Sequence, residues 1–240
     1  MLSKPILILK TGQTLPSIKA KRGDFENWIT TFSGYSETCF STCQVFRDEK
    51  FPAISSISGI IVTGSPAMVT DDSAWIKRSE QYLLEAIGQG LPLLGICFGH
   101  QLLAQALGGK VDWHPKGRNI GTAPIQLTGD AEIDPLLSSL PGEILVHSTH
   151  MQSAITLPSS ARILAGNSFE PHHAVRFGEK VWGLQFHPEF DEGIIEEYIK
   201  GRYTLIVEEG LDADALLAAV KPTPESNEIL NRFVSLAIAS

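Results

Sequence analysis

Cys97 has the surroundings of a nucleophile. It lies in Gly95-Ile96-Cys97-Phe98-Gly99, between a short apolar run and a stretch with helical spacing. Glycines two residues before and after it allow a sharp strand-to-helix turn with the side chain at its tip. A helix N-terminus stabilises a thiolate, and the amide of Phe98 would face the same space as an oxyanion donor. Taken alone, the motif fits a buried structural cysteine equally well.

His187 and Glu189 supply what a thiol nucleophile needs. They follow the apolar run Gly183-Leu184-Gln185-Phe186, about 90 residues after Cys97. A thiol requires a base to take its proton and a third group to orient that base. Since the carboxyl ends of parallel strands gather at one edge of an open sheet, a cysteine and a histidine that each follow a strand can meet there. We therefore predict a Cys97–His187–Glu189 triad.

Alternating apolar runs and amphipathic stretches indicate the elements that would position this triad. Strands are predicted at residues 6–9, 43–46, 57–63 and 91–96. A helix is predicted at 74–87, with Asp72 or Ser73 as its cap, and another at 101–107. Near-continuous apolar strands separated by helices are typical of a parallel sheet covered on both faces. The fold class is therefore α/β, with an open, mostly parallel sheet flanked by helices.

The pattern changes after Gly108-Gly109. Short strands are predicted at 122–127, 143–147, 162–165, 174–177 and 181–186, with Gly178-Glu179 turning the last two into a hairpin. Helices are predicted at 192–205, 212–220 and 225–239. The parallel part thus passes into a smaller antiparallel or mixed section. Without a repeat or a linker, we expect a single domain over 1–240, with a core at about 5–200 and a C-terminal helical extension at about 205–240.

Composition narrows the function classes. The 240 residues carry a formal net charge of −8, which disfavours a nucleic-acid binder and a basic membrane-surface helix. No apolar run approaches the roughly 20 residues that span a bilayer, and the run at 5–9 predicts a buried first strand rather than a signal peptide. Three cysteines suit a reducing compartment. We expect a cytoplasmic protein without nucleic-acid or membrane partners.

The motifs Gly95-Ile96-Cys97-Phe98-Gly99-His100-Gln101 and Phe186-His187-Pro188-Glu189 together resemble the class I (triad-type) glutamine amidotransferase domain, as found in GMP synthetase. The resemblance runs from the first strand to about residue 200. It implies a flavodoxin-like or Rossmann-like fold that needs no cofactor and no metal. It also implies that Cys97 attacks the carboxamide carbon of glutamine. His187 would act first as base and then as proton donor to ammonia, oriented by Glu189, before water releases glutamate.

The resemblance also assigns binding roles. The backbone amide of Gly64, in Val62-Thr63-Gly64-Ser65-Pro66, would complete an oxyanion hole with that of Phe98. Gln101 matches a glutamine that holds the amino-acid end of the substrate; otherwise it is a solvent-facing helix residue.

A loop at 148–153 takes the place of the family's Ser-His-Gly-Asp-type loop, which binds the α-amino and α-carboxylate groups. Its Thr149, His150 and Met151 are substrate-binding candidates. Met151 replaces the usual glycine and Gln152 the frequent aspartate, which alters both the loop shape and a charge partner.

Three functions remain open. The chain is a glutaminase or amidotransferase that passes ammonia to a separate synthetase subunit, or a γ-glutamyl peptidase or hydrolase, or a non-catalytic binding module with Cys97 as redox sensor. A sensor needs only the thiol, so the complete triad disfavours the third. The substrate would be glutamine or a γ-glutamyl small molecule. Cys39 and Cys43 lack a second ligand pair for zinc, and His172-His173 is interpreted as a surface or edge pair.

Overall fold

The computed structural model describes residues 4–71 and 73–240, which form an α/β fold around a central sheet. The strands are β1 (Ile6–Lys10), β2 (Phe40–Gln44), β3 (Gly59–Val62), β4 (Leu93–Ile96), β5 (Lys110–Trp113), β6 (Asn119–Leu127), β7 (Glu143–His150), β8 (Gln152–Thr156), β9 (Arg162–Gly166), β10 (Ala174–Gly178) and β11 (Val181–Leu184). The helices are α1 (Pro16–Arg22), α2 (Phe25–Ser33), α3 (Ala74–Gly88), α4 (Phe98–Ala106), α5 (Glu192–Gly201), α6 (Tyr203–Glu208), α7 (Ala213–Ala218) and α8 (Pro224–Ala239).

The parallel part of the central sheet has the order β2-β1-β3-β4-β11. Side chains that alternate along β1 enter two separate cores, with Ile6 and Ile8 on one face and Leu7 and Leu9 on the other. Because both faces are covered, each residue of β1 is buried, which is why residues 6–9 are apolar; the strand ends at the buried Lys10. The predicted α/β class with a mostly parallel sheet flanked by helices is confirmed.

The antiparallel part continues the same sheet through β10, β9, β6 and β7. The hairpin predicted around Gly178-Glu179 is confirmed, since β10 pairs antiparallel with β11. Two strands that the sequence pattern did not indicate, β5 and β8, pair with each other in a small second sheet. This pairing holds Gln152 opposite Trp113 and so fixes the segment that follows β7.

Several predicted bounds are wrong. The strand predicted at 43–46 lies at Phe40–Gln44, and a 3-10 turn occupies Val45–Arg47 and ends at Asp48, which has a left-handed backbone. The helix predicted from Gln101 already starts at Phe98, directly after Cys97.

Two features of the helices also differ from prediction. The helix predicted over 192–205 breaks after Gly201 and resumes at Tyr203, with Arg202 between. Ser73 precedes α3 but its side chain makes no capping hydrogen bond, and Asp72 lies outside the described residues.

The C-terminal helix packs onto the sheet. The side chains of Ile229, Leu230 and Phe233 in α8 are fully buried in the same core as Ile6. α2, which precedes β2, packs against α8 and begins with a capping box formed by Asp24. Within residues 4–71 and 73–240, no helix combines the length and the apolar character that crossing a membrane requires.

Candidate active site

Cys97 occupies a strained turn between β4 and α4. Its backbone has φ 52° and ψ −100°, and within residues 4–71 and 73–240 Asp48 is the only other non-glycine residue with positive φ. Such a conformation costs about 1–3 kcal/mol for a residue with a side chain. Hydrogen bonds on both sides fix the turn: the Cys97 amide donates to the Leu184 carbonyl at 2.7 Å, and the Gln101 amide donates to the Cys97 carbonyl at 3.1 Å. The thiol is thus held at the N-terminus of α4.

The two flanking glycines provide clearance rather than unusual dihedral angles. A Cβ atom at Gly95 would lie 2.4 Å from the carbonyl carbon of Gly99, and one at Gly99 would lie 2.5 Å from the carbonyl oxygen of Val62. Neither glycine has positive φ, so the strain of the turn falls on Cys97 itself. The glycines are required because backbone packs directly on backbone here.

His187 and Glu189 form a buried pair beyond the end of β11. Nδ1 of His187 lies 2.8 Å from Oε1 of Glu189, and the side chains are 2% and 0% exposed. The His187 amide donates to the carbonyl of His147 at 2.8 Å, which anchors the backbone. Nε2 of His187 is buried and makes no hydrogen bond to any residue that the structure describes, so it is available for a thiol or a leaving group.

Charge and aromatic packing favour a protonated His187. Burial lowers its pKa, but the Glu189 carboxylate and the Cys97 thiolate raise it, to about 10. The imidazole stacks on Phe190 with ring centroids 4.1 Å apart and planes 13° apart, and Phe25 lies parallel at 6.4 Å. Aromatic faces attract a cation, so this packing supports the imidazolium form while fixing the ring. The arrangement suits a thiolate–imidazolium pair.

Two adjoining cavities meet at Cys97. One, here called the His187 cavity, is lined by Gln13, Leu15, Phe25, Ser65, Pro66, Cys97, Thr149, His187, Tyr198 and Arg202. The other, here called the Gln101 cavity, is lined by Ser65, Pro66, Ala67, Met68, Cys97, Phe98, Gln101, Arg118, Thr149, His150, Met151, Gln152 and Arg202. Cys97 is the thiol common to both cavities, and its Sγ lies 3.8 Å from the carbonyl oxygen of Thr149. The structure thus brings Cys97 and His187 to the wall of one cavity.

Gly64 and Phe98 lie on either side of this site. A Cβ at Gly64 would lie 3.0 Å from Cε1 of His187, so a side chain there would press on the imidazole. The carbonyl of Gly64 accepts a hydrogen bond from Thr11 Oγ1 at 3.0 Å, which holds the turn after β3. Phe98 lines the Gln101 cavity and its ring stacks on Trp75. Their oxyanion role stays a prediction.

Gln101 lines the cavity but is largely occupied within the protein. Its Nε2 donates to the carbonyl of Gln152 at 2.6 Å and to Oε1 of Gln185 at 3.0 Å. The side chain is 4% exposed, so the alternative of a solvent-facing helix residue is wrong. A role for Gln101 in holding substrate stays a prediction, and these bonds show that it also ties β8 to α4.

Residues 148–153, interpreted above as a loop, are mostly strand. β7 runs through Thr149 and His150, and β8 begins at Gln152, so Met151 is a single residue between them. Nδ1 of His150 contacts the carbonyl of Gln152 at 3.0 Å, and burial keeps the pKa of His150 well below its usual range. His150 is therefore a neutral group beside the cavity, and substrate contacts by these residues stay predictions.

Sequence reasoning missed two arginines in the cavity walls, Arg118 and Arg202. Arg118 comes just before β6 and pairs with Glu209 through Nε at 2.6 Å and Nη2 at 2.8 Å. Nη2 of Arg118 also lies 3.2 Å from Sδ of Met151. Arg202 stands at the break between α5 and α6. No local sequence pattern marks either arginine. The position of Arg202 within the amphipathic helix predicted at 192–205 is a weak signal.

The interpretation of His172-His173 as a surface or edge pair is wrong for His173, which is fully buried. His172 is partly buried, and its Nδ1 contacts the carbonyl of Ala154 at 2.7 Å. The segment is interior because β10 follows it directly within the sheet.

Comparisons with known proteins identify the family. A profile described as "Glutamine amidotransferase class-I" matches residues 34–201. GMP synthase (glutamine-hydrolyzing) of Porphyromonas gingivalis is 40% identical over 149 residues, which are 61% of this chain and 28% of that protein. Gamma-glutamyl peptidase 5 of Arabidopsis thaliana is 29% identical over 201 residues, covering 80% of this chain and 78% of the peptidase.

This chain therefore spans less than a third of the length of the bacterial synthase. A solved glutamine amidotransferase from Thermotoga maritima superposes with a TM-score of 0.79 over 99% of both chains at 20% identity, which shows a shared fold. Because the family profile matches well over half of the residues, the chain belongs to the class I glutamine amidotransferase family.

Proposed function

We propose that this chain hydrolyses the γ-carboxamide of glutamine through a thioester on Cys97, giving glutamate and ammonia. The observation that carries the proposal is the buried His187–Glu189 pair at 2.8 Å, beside a cavity that also exposes Cys97. A buried imidazolium held by a carboxylate next to a strained thiol at a helix N-terminus suits nucleophilic catalysis.

The proposed reaction begins with the proton of Cys97 on His187, in accordance with the raised pKa of His187. The thiolate attacks the amide carbon, and the carbonyl oxygen gains negative charge near the amides of Gly64 and Phe98. Collapse breaks the carbon–nitrogen bond while Nε2 of His187 delivers its proton to the departing nitrogen, which leaves as ammonia. His187 then takes a proton from water, whose oxygen attacks the thioester, and glutamate and the Cys97 thiol are released.

Glu189 supports both halves of this cycle by stabilising the imidazolium. Removal of one oxyanion-hole donor from a hydrolase typically lowers kcat about 10²–10³-fold. The ammonia would pass to a separate synthetase subunit or another acceptor; the bacterial relative is named a glutamine-hydrolyzing GMP synthase.

A second function, cleavage of γ-glutamyl peptides or conjugates, has specific support. The similarity to the plant γ-glutamyl peptidase extends along most of both chains, whereas the bacterial synthase is covered only over its smaller part. The same thioester chemistry serves both substrates, and the two differ only in the amine that His187 protonates.

A steady-state assay separates these functions. Release of ammonia from glutamine is compared with release of the amine from γ-glutamyl dipeptides, with Cys97→Ala as the inactive control. We expect turnover of at least one class, with Cys97 modified by a γ-glutamyl chloroketone. His187→Ala should lose acylation of Cys97 as well as turnover. Rapid acylation with slow release in that variant would contradict the scheme, and absence of both turnover and labelling would refute the function.

A further inference from the structure

Arg118 and Arg202 approach the same space from different parts of the fold. Both line the Gln101 cavity, which is also walled by Cys97. The side chain of Arg118 is 5% exposed, so its guanidinium is held inside the protein. Arg202 lies between α5 and α6, where its amide donates to the carbonyl of Tyr198 at 3.1 Å. Two cations therefore stand within one small cavity beside the proposed nucleophile.

Their charge is only partly compensated. Glu209 forms a two-point pair with Arg118. Arg202 has no ion pair with any residue in 4–71 or 73–240, and its Nε is buried without a hydrogen-bond partner there. Its guanidinium carbon lies 5.9 Å from the centre of the Tyr198 ring. Burial and the nearby Arg118 both lower the pKa of Arg202. An anion bound at this position would stabilise the charged guanidinium.

The position of His187 indicates which part of a substrate would enter the Gln101 cavity, where Arg118 and Arg202 both line the wall. His187 lines the His187 cavity and is not among the residues that line the Gln101 cavity. A leaving amine must depart towards the imidazole that protonates it. The acyl part, on the other side of Cys97, then extends into the Gln101 cavity. The glutamyl group carries a carboxylate at its far end, and an arginine guanidinium matches a carboxylate in charge and geometry.

Met151 connects this cavity to the altered 148–153 segment. Its sulfur lies 3.2 Å from Nη2 of Arg118, so the residue that replaces the usual glycine packs against the arginine. Arg202 and Glu209 follow the last residue of the family match at 201. The arginine arrangement is therefore built in part from segments outside the shared family core.

We propose that Arg202, with Arg118 behind it, binds the α-carboxylate of the glutamyl group during acylation of Cys97. This inference rests on the proposed γ-glutamyl chemistry and specifies how the acyl group is selected. Arg118 stays paired with Glu209 and packs against Met151 in the cavity wall. Arg202 supplies the positive charge that binds the carboxylate. A substrate without the α-carboxylate would lose this contact but could still reach Cys97.

The test compares glutamine with its α-amide, glutaminamide, in which the carboxylate is replaced by a neutral carboxamide. kcat/KM for each substrate is measured in the wild type, Arg202→Gln and Arg202→Lys. Arg78→Gln is the matched control, because Arg78 is an exposed arginine on α3 that pairs with Asp48. Thermal melting of each variant verifies that it folds.

We expect Arg202→Gln to lower kcat/KM for glutamine about 10- to 100-fold, the usual effect of losing a hydrogen bond to a charged group. The same variant should change kcat/KM for glutaminamide by less than about 3-fold, since that substrate offers Arg202 no carboxylate. Arg202→Lys should keep part of the preference. Equal losses on both substrates, or no loss on glutamine, would overturn the assignment even if the enzyme is active.

If the wild type turns over neither substrate, the proposed function is refuted but the proposed carboxylate site is not. A binding measurement then tests the carboxylate site. Calorimetry then compares L-glutamate with its α-amide on the full chain. Binding of glutamate that Arg202→Gln weakens about 10-fold or more supports the carboxylate site. Absence of glutamate binding to the wild type, or equal binding by Arg202→Gln, contradicts it.

Discussion

Replacing Glu189 with glutamine removes the negative charge that faces His187 and keeps the size of the side chain. The carboxylate is fully buried, and its Oε1 lies 2.8 Å from Nδ1 of the imidazole. In the variant, a neutral amide oxygen accepts this hydrogen bond. Burial, which by itself lowers the pKa of His187, is then opposed mainly by the Cys97 thiolate. We therefore expect the imidazolium to be less stable.

The size of the effect follows from the type of hydrogen bond. A bond to a charged group contributes about 1.5–3 kcal/mol, which corresponds to a pKa change of about 1–2 units. The pKa of His187, about 10 in the wild type, should fall accordingly in Glu189→Gln. Since the same stabilisation acts whenever His187 holds the proton during catalysis, kcat/KM at neutral pH should fall about 10- to 100-fold.

Nitrogen NMR of histidine-labelled protein measures this change directly. The chain has seven histidines, and a His187→Gln spectrum identifies the signals of His187 by their absence. The titration is followed from neutral to strongly alkaline pH in the wild type and in Glu189→Gln. Glu196→Gln is the matched control, because Glu196 is an exposed residue of α5 that pairs with Lys200. The control should leave the titration of His187 unchanged.

An unchanged pKa of His187 in Glu189→Gln would refute the reasoning that the carboxylate holds the proton on the imidazole. A rise of that pKa would refute it as well. A large loss of activity without any change in the titration would instead assign Glu189 to positioning the ring, with the imidazolium stabilised by Phe190 and Cys97.

Three further predictions concern stability, each measured by urea denaturation. Gly95→Ala would place a Cβ 2.4 Å from backbone atoms and should cost about 1–3 kcal/mol or more, whereas Gly142→Ala, with open space around it, should be nearly neutral. Burial lowers the pKa of His100 to about 3. The folded state therefore resists protonation of His100, and the stability that the neutral imidazole contributes is lost as the pH falls below about 6.5, by about 2 kcal/mol at pH 5. His100→Gln should flatten this loss of stability. Lys10→Met leaves the buried carboxylate of Asp24, 2.7 Å from Lys10 Nζ, without this partner and should cost about 3–5 kcal/mol.

The parallel half of the fold could be predicted because its signal is local. A strand buried on both faces is mainly apolar, so residues 6–9 of β1 and the strands β3 and β4 appear in the sequence as short apolar runs. The edge strand β2 is only partly buried, and its polar sequence, Phe40–Gln44, led to a strand prediction that was displaced towards Val45 and Phe46.

Helix α2 was not predicted, although its sequence carries two signals of a helix. Asp24 is a good N-cap, and Phe25, Trp28 and Ile29 recur at helical spacing behind it. Cys97 follows β4, and His187 and Glu189 follow β11, the neighbouring strand of the sheet, because each motif comes directly after a strand. The catalytic triad stays a prediction.

The arginines show which part of the site sequence patterns leave out. Hydrophobic periodicity places apolar side chains inside and therefore assigns charged residues to the surface. Arg118 is buried because Glu209, about 90 residues away and directly after α6, supplies a carboxylate to neutralise it. A motif that spans a strand and a helix can be found locally. A charge pair between distant segments requires the tertiary structure.

The strain at Cys97 has an energetic consequence for the whole site. A positive φ at this residue persists because the turn is held by the Leu184 carbonyl before it and by the first turn of α4 after it. Gly95 and Gly99 leave no space into which the turn could relax, since added side chains would overlap with backbone. The thiol therefore stays at the cavity wall before any substrate binds, and binding energy is not needed to place it there. In the proposed reaction, the carboxylate contact at Arg202 would therefore select the acyl group without movement of the nucleophile.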